Sequence, residues 1–208
     1  MKIKVCGITR REDLLRLVEY RVDYAGFIFY EKSPRFAGSK LDPRTIRETK
    51  EIKKVGVFVD APLEQVRRTI TDYGLDMVQL HGDETPGYCA AIDIPVVKAF
   101  RVRTNINWDT IQPYIAVTDY FLFDTDAGNA YGGTGIKFNW ELLNSYPYGH
   151  PFFLSGGIGP EQLTELLAFK HPALFAVDVN SKFETHPGVK DMEKVQPFTE
   201  QIQSTFLK

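Results

Sequence analysis

Three observations predict an α/β chain of the closed (β/α)8, or TIM-barrel, class. Strand-like runs recur eight times, helical stretches fall between them, and the units are nearly equal in length. An open doubly wound sheet is the alternative, but no Gly-x-Gly-x-x-Gly turn follows the first strand. No linker, low-complexity tract or charge block divides the sequence, so residues 1–208 are read as a single barrel domain.

The first run, residues 2–6, is largely apolar, stops at Cys6 and turns on Gly7. Residues 10–20 then have helical spacing through Leu14, Leu15, Leu17 and Val18, with Thr9 placed to cap the helix. Residues 24–29 form the second strand, followed by a loop through Ser33-Pro34-Arg35. Asp42-Pro43 supplies a cap and a first-turn proline for the next helix. The third strand spans 54–59 and Pro62 opens a helix to about Tyr73. The fourth spans 76–81, with a short helix from Thr85-Pro86. The fifth spans 94–100, ahead of a helix around 106–114. The sixth, 120–124, is aromatic-rich and leads into a loop with four glycines. The seventh is 152–157, with a helix over 160–168, and the eighth is 173–178. An amphipathic helix over 192–206 closes the chain.

Composition narrows the function classes. A hydrophobic content of 43% is enough for a real core, and a net charge of -2 argues against wholesale nucleic-acid or membrane binding. No signal peptide is visible, and no apolar stretch approaches the roughly 20 residues a bilayer requires. The two cysteines, Cys6 and Cys89, make no disulfide framework. The expectation is a cytoplasmic protein with free thiols.

In a barrel of this class the active site lies at the carboxyl ends of the strands. Collecting special residues there gives Cys6, Arg35, His81, Asp124, Gly156-Gly157, and Asp178 with Asn180-Ser181. Gly156-Gly157 makes a tight turn whose N–H groups can approach an anion, and Ser181 follows strand eight. Those two loops are the usual barrel phosphate site, against the bland reading of a sharp turn alone. Arg35 reads as a solvated charge or as a two-point clamp on a ligand carboxylate. His81 divides between a structural histidine and a polar contact in the mouth. No second histidine or carboxylate lies at metal-ligand spacing, so it is not read as a metal ligand. Asp124 pairs locally with backbone donors or acts chemically, and the glycine loop after it either closes over a ligand or is only surface. Cys6 alone would read as a small buried hydrophobe. Beside a helix start its thiolate becomes easier to form. Cys89 reads as packed, and His150, His171 and His186 as loop residues.

The segments Lys4-Val5-Cys6-Gly7-Ile8-Thr9, Gly26-Phe27-Ile28-Phe29 with Ser33-Pro34-Arg35, and Val78-Gln79-Leu80-His81-Gly82 together resemble phosphoribosylanthranilate isomerases. So do Phe123-Asp124-Thr125, Gly132-Gly133-Thr134-Gly135, Leu154-Ser155-Gly156-Gly157-Ile158 and Pro187-Gly188-Val189-Lys190-Asp191. The resemblance runs through nearly the whole chain in order. It implies the Amadori rearrangement of N-(5-phosphoribosyl)anthranilate to 1-(2-carboxyphenylamino)-1-deoxyribulose 5-phosphate in tryptophan biosynthesis. It implies no metal and no organic cofactor, a small phosphosugar substrate, and a monomer or homodimer. By position Cys6 matches the general base and Asp124 the general acid. Arg35 matches the residue facing the anthranilate carboxylate, and His81 a residue near the substrate. Gly156, Gly157, Asn180 and Ser181 fall in the phosphate loops.

Three departures from the family pattern stand out. Asn180 replaces a serine and Lys182 a glycine after strand eight, altering backbone freedom there. The loop after strand six has its lysine displaced to Lys137, and Phe138-Asn139-Trp140 stands for Phe-Asp-Trp.

The chemistry needs an acid for the ring oxygen and a base for the second sugar carbon. In water roughly 3% of a cysteine is thiolate at pH 7 and about one aspartate in a thousand is protonated. Thiolate plus carboxylic acid therefore lies about 6 kcal/mol above thiol plus carboxylate. Burial beside Phe121 and Phe123 is expected to favour protonated Asp124, and the helix start with a nearby cation the thiolate of Cys6. Other readings are a different phosphosugar barrel with paired carboxylates or a metal, and a non-catalytic phosphosugar-binding protein.

Overall fold

The computed structural model describes residues 1–125 and 138–206. Its main strands are β1 (Lys2–Val5), β2 (Tyr24–Ile28), β3 (Lys53–Phe58), β4 (Met77–Leu80), β5 (Val96–Val102), β6 (Tyr120–Thr125), β7 (Phe152–Leu154) and β8 (Leu174–Val179). They pair in parallel in sequence order and close between β1 and β8, with Lys4 opposite Asp178. The (β/α)8 barrel predicted from the strand count is therefore the observed fold. The predicted glycine loop, including Gly132, Gly133, Gly135 and the displaced Lys137, lies outside the described residues.

Helices α1 (Arg11–Glu19), α2 (Pro43–Glu48), α3 (Leu63–Tyr73) and α4 (Pro86–Cys89) follow the first four strands. Asp42 caps α2 by accepting from the Arg44 N–H at 2.8 Å, as the sequence predicts, and Thr85 caps α4 by accepting from the Tyr88 N–H. Thr9 does not cap α1. Its hydroxyl instead donates 2.5 Å to the Gly188 carbonyl, a partner 179 residues away, and Arg10 stands at the helix start without a side-chain cap. A tertiary acceptor has captured a group that local pattern assigns to the helix.

The helix expected around 106–114 is shorter and tighter, α5 (Trp108–Ile111) running into a 3-10 segment, Gln112–Val117. The helix expected over 160–168 begins as a 3-10 turn before α6 (Leu163–Ala168), whereas α7 (Met192–Phe206) matches its expected limits. Beyond β8 a two-stranded hairpin, β9 (Glu184–His186) and β10 (Val189–Lys190), was not anticipated, and it places His186 in a strand and not a loop. Phe183, at its base, meets Phe198 of α7 at 4.8 Å between rings, tying this segment to the outer helical layer.

Side chains alternate across each strand, so residues two apart share a face. Val55, Met77, Val97, Ala99, Leu122, Phe153 and Ala176, drawn from β3 through β8, form one apolar cluster. The residues two positions further on include Gln79, Asp124 and Asp178, all buried and all polar. That switch, from apolar to polar along one face, marks where the barrel stops being core and becomes site.

Candidate active site

Cys6 follows β1 directly and is only 4% exposed. Its N–H donates 2.8 Å to the Val179 carbonyl, which ties it to the end of β8. Gly26 makes room for the sulfur, since a Cβ there would lie 2.8 Å from Cys6 Sγ. Lys4, two residues earlier on the same face, donates its Nζ to Asp178 Oδ1 at 2.9 Å, both side chains buried. Burial pushes the Cys6 thiol above its ordinary range; Lys4 and Lys190 pull it back down, and Asp178 adds to the rise. This corrects the expectation from the helix start. The first helical residue is Arg11, and burial outweighs the cations that do lie nearby. Burial also works against the Lys4 charge, but Asp178 and Cys6 hold its pKa above the usual value.

Asp124 lies within β6 and is 5% exposed. Its Oδ1 accepts from the Thr125 N–H at 2.9 Å, and its Oδ2 lies 3.3 Å from His81 Nε2. The other ring nitrogen, His81 Nδ1, is 2.8 Å from Gln79 Nε2. His81 is thus not isolated: its ring lies between an amide on β4 and the carboxyl on β6. Asp178 stands within electrostatic reach of both Cys6 and Asp124, and of His81.

Gly156 and Gly157 have φ of +88° and +68°, the left-handed region that glycine occupies without strain. A Cβ on Gly156 would collide with Thr125 Oγ1 and sit 3.1 Å from Asp124 Oδ1. The turn therefore packs directly on Asp124. The Ser155 N–H reaches the Phe123 carbonyl at 2.9 Å, while the N–H groups of Gly156 and Gly157 bond to no described residue. Ser181 begins a short 3-10 turn, Ser181–Phe183. Lys182 is not among the positive-φ residues, so the chain passes this point without the freedom a glycine would bring.

Arg35 does not face open solvent. Its Nε and Nη2 grip Glu184 at 3.0 and 2.7 Å. Lys190 Nζ reaches the same carboxylate at 2.8 Å and Asn180 Oδ1 also at 2.8 Å. Asn180 therefore accepts with its side-chain oxygen from Lys190. Burial disfavours the Glu184 carboxylate, yet Arg35 and Lys190 hold its pKa below the usual range. Burial lowers Lys190, opposed by Glu184 and Cys6.

Sequence reasoning collected Cys6, Asp124, His81, Gly156 and Asn180 but passed over Lys4, Gln79, Glu184 and Lys190. For Lys4 and Gln79 a signal was present: each is a polar residue inside an apolar strand, two positions before a site residue and so on its face. Glu184 and Lys190 belong to a hairpin that no pattern announced. Cys89 is buried as expected, its thiol pushed up to about 11 by burial.

A closed (β/α)8 barrel with a thiol, a carboxyl and a glycine turn at one end of its strands belongs with the barrel enzymes. The PRAI family profile, N-(5'phosphoribosyl)anthranilate (PRA) isomerase, matches residues 3–201. An N-(5'-phosphoribosyl)anthranilate isomerase of Parabacteroides distasonis is 38% identical over 97% of this chain and 93% of its own. One from Geobacter sp. strain M21 is 43% identical over 95% of each. The crystal structure of the Thermus thermophilus phosphoribosyl anthranilate isomerase superposes with a TM-score of 0.83 at 30% identity, covering 98% of this chain and 99% of that one. Another such isomerase, solved with reduced 1-(o-carboxyphenylamino)-1-deoxyribulose 5-phosphate, gives a TM-score of 0.77 at 30% identity, with coverage of 98% and 99%. The chain belongs to the N-(5'-phosphoribosyl)anthranilate isomerase family, and is an isomerase of tryptophan biosynthesis.

Proposed function

We propose that this chain converts N-(5-phosphoribosyl)anthranilate to 1-(2-carboxyphenylamino)-1-deoxyribulose 5-phosphate, with Asp124 as general acid and Cys6 as general base. The observation that carries the reading is the packing of Gly156 on Asp124 and Thr125, which supports an anion turn and an acid on one rim. The substrate phosphate takes the N–H groups of Gly156 and Gly157 with help from Ser181 and Asn180. Arg35 uses Nε and Nη2 on Glu184, so its Nη1 edge is left to meet the anthranilate carboxylate.

Asp124 protonates the furanose ring oxygen, the bond from that oxygen to the first sugar carbon breaks, and the anthranilate nitrogen lone pair forms an iminium. The Cys6 thiolate then removes the proton from the second carbon, whose electrons form an enamine and neutralise the nitrogen. Moving the enol proton to the first carbon completes the ketone, so the net reaction is an isomerisation. Each half-step leaves the pair closer to thiol plus carboxylate, the arrangement water itself prefers. The cost lies in reaching thiolate plus acid first, and Lys4 and Lys190 lessen it on the thiol side.

No helix among the described residues is long and apolar enough to cross a membrane. The reading places the chain in the cytoplasm, as a monomer or homodimer that needs no cofactor. Turnover is followed by the fluorescence of the anthranilate substrate in the purified protein. Cys6→Ser and Asp124→Asn, shown to be folded by circular dichroism, are each expected to lose about 10²-fold or more in kcat. Near-normal turnover in either would remove that residue from its role.

A further inference from the structure

We infer that Gln79 is a positioning residue for the reaction, its side-chain amide fixing His81 in the tautomer that presents Nε2–H to Asp124. The three side chains lie in a line across the barrel interior. Gln79 and His81 are two positions apart at the end of β4, and Asp124 comes from β6. The distances are 2.8 Å from Gln79 Nε2 to His81 Nδ1 and 3.3 Å from His81 Nε2 to Asp124 Oδ2.

Asp124 Oδ2 lies 3.3 Å from the imidazole, Asp178 is within electrostatic reach of it, and an ionised carboxylate can only accept a hydrogen bond. The nitrogen turned toward Asp124 must then carry the proton, which leaves Nδ1 as a lone pair. A lone pair needs a donor, and the group found against it is an amide nitrogen. Had the amide been turned over, its oxygen would face that lone pair and repel it. All three side chains are buried. Among the described residues Gln79 Oε1 and His81 Nε2 have no hydrogen-bond partner, so the amide is held by its nitrogen end and Nε2 is the ring nitrogen left for Asp124.

This arrangement acts on the proton transfer. Once Asp124 has given its proton to the sugar, one carboxylate oxygen accepts from the Thr125 N–H and the other faces His81 Nε2 at 3.3 Å. A proton on that nitrogen favours the charged product of the acid step. With the opposite tautomer a lone pair would face Oδ2, and the acidic proton would be drawn toward the imidazole and away from the ring oxygen. The inference rests on Asp124 as the acid, but its main readout does not.

The test is nitrogen NMR of the imidazoles in the full 15N-labelled chain, with His81 assigned by its loss in His81→Asn. Nδ1 is expected to be unprotonated and Nε2 protonated. Gln79→Met, which offers no hydrogen bond, should abolish that bias, and Gln79→Glu, which can only accept when ionised, should reverse it. Both should lower kcat by about tenfold or more while leaving KM within about twofold, the range expected when an acid is misdirected. A proton on Nδ1 in the unaltered chain overturns the inference, as does a tautomer unchanged in Gln79→Met. Normal turnover in Asp124→Asn would instead remove the acid role and leave the tautomer assignment standing.

Discussion

Arg35 and Glu184 are 149 residues apart in the chain and form a two-point ion pair, with Nε 3.0 Å from both carboxylate oxygens and Nη2 2.7 Å from Oε2. The far side of the same carboxylate is held by Lys190, whose side chain is fully buried. One acidic residue in an unanticipated hairpin thus sets where the guanidinium can point, and links it to a lysine that also acts on Cys6.

Removing the Glu184 charge should therefore be felt in both stability and binding. Glu184→Gln leaves Lys190 buried without its counter-charge, and urea denaturation should show a loss of about 3 kcal/mol. KM should rise as Arg35 loses its orientation. The pH dependence has a definite sign: a carboxyl held below its usual range stabilises the fold above its unfolded pKa, and loses that contribution as pH falls through the folded value. The melting temperatures of the two proteins should differ at neutral pH and converge only as the pH falls through the folded Glu184 pKa, itself below the ordinary glutamate range.

The thiol and carboxyl should give an unusual pH–rate profile. Thiolate plus acid carries the same number of protons as thiol plus carboxylate, so its share is constant between the two pKa values. It falls above the thiol pKa, where the acid is lost. Because burial pushes the Cys6 thiol above the ordinary cysteine range, kcat/KM should hold level through neutral pH and decline only in the alkaline range. A rise through pH 8 to 9 would contradict this ordering.

Lys4→Met tests the cation beneath the sulfur. Without it the Cys6 thiol should rise further, and each unit of rise lowers the plateau about tenfold while carrying the alkaline decline to higher pH. Asp178 loses its buried partner in the same variant, so a stability loss of about 3 kcal/mol is expected alongside. Lys4→Arg, which keeps the charge, should recover part of the plateau.

Gly156→Ala tests the packing of the Gly156-Gly157 turn on Asp124, and with it the proposed phosphate and acid roles. The side chain would be placed at φ +88° and driven into Thr125, costing about 1–3 kcal/mol. Because Asp124 Oδ1 lies 3.1 Å from that Cβ position, kcat should fall together with phosphosugar affinity. Loss of affinity with kcat unchanged would separate the turn from the carboxyl.

Local signals were read well where the partner was local. Asp42 and Thr85 cap the helices they precede, and the strands fall within a few residues of their expected limits, because caps and period-two alternation are properties of neighbouring residues. Thr9 was misread because its acceptor is Gly188, and the Cys6 electrostatics because burial in the closed barrel outweighs a helix that begins only at Arg11. The Glu184–His186 hairpin had no signature, being two very short strands of mixed polarity.

The order of eight strands, the cysteine ending the first, the aspartate ending the sixth and the double glycine after the seventh were all determined by the sequence alone. The tertiary structure decided what those groups experience: Lys4 under the sulfur, Gln79 and His81 beside the carboxyl, Glu184 and Lys190 against Arg35. The reason is that hydrophobic periodicity is encoded between neighbours. A side chain's protonation and aim depend on charges that only barrel closure brings near, such as Lys4 and Asp178, 174 residues apart and joined where the last strand meets the first.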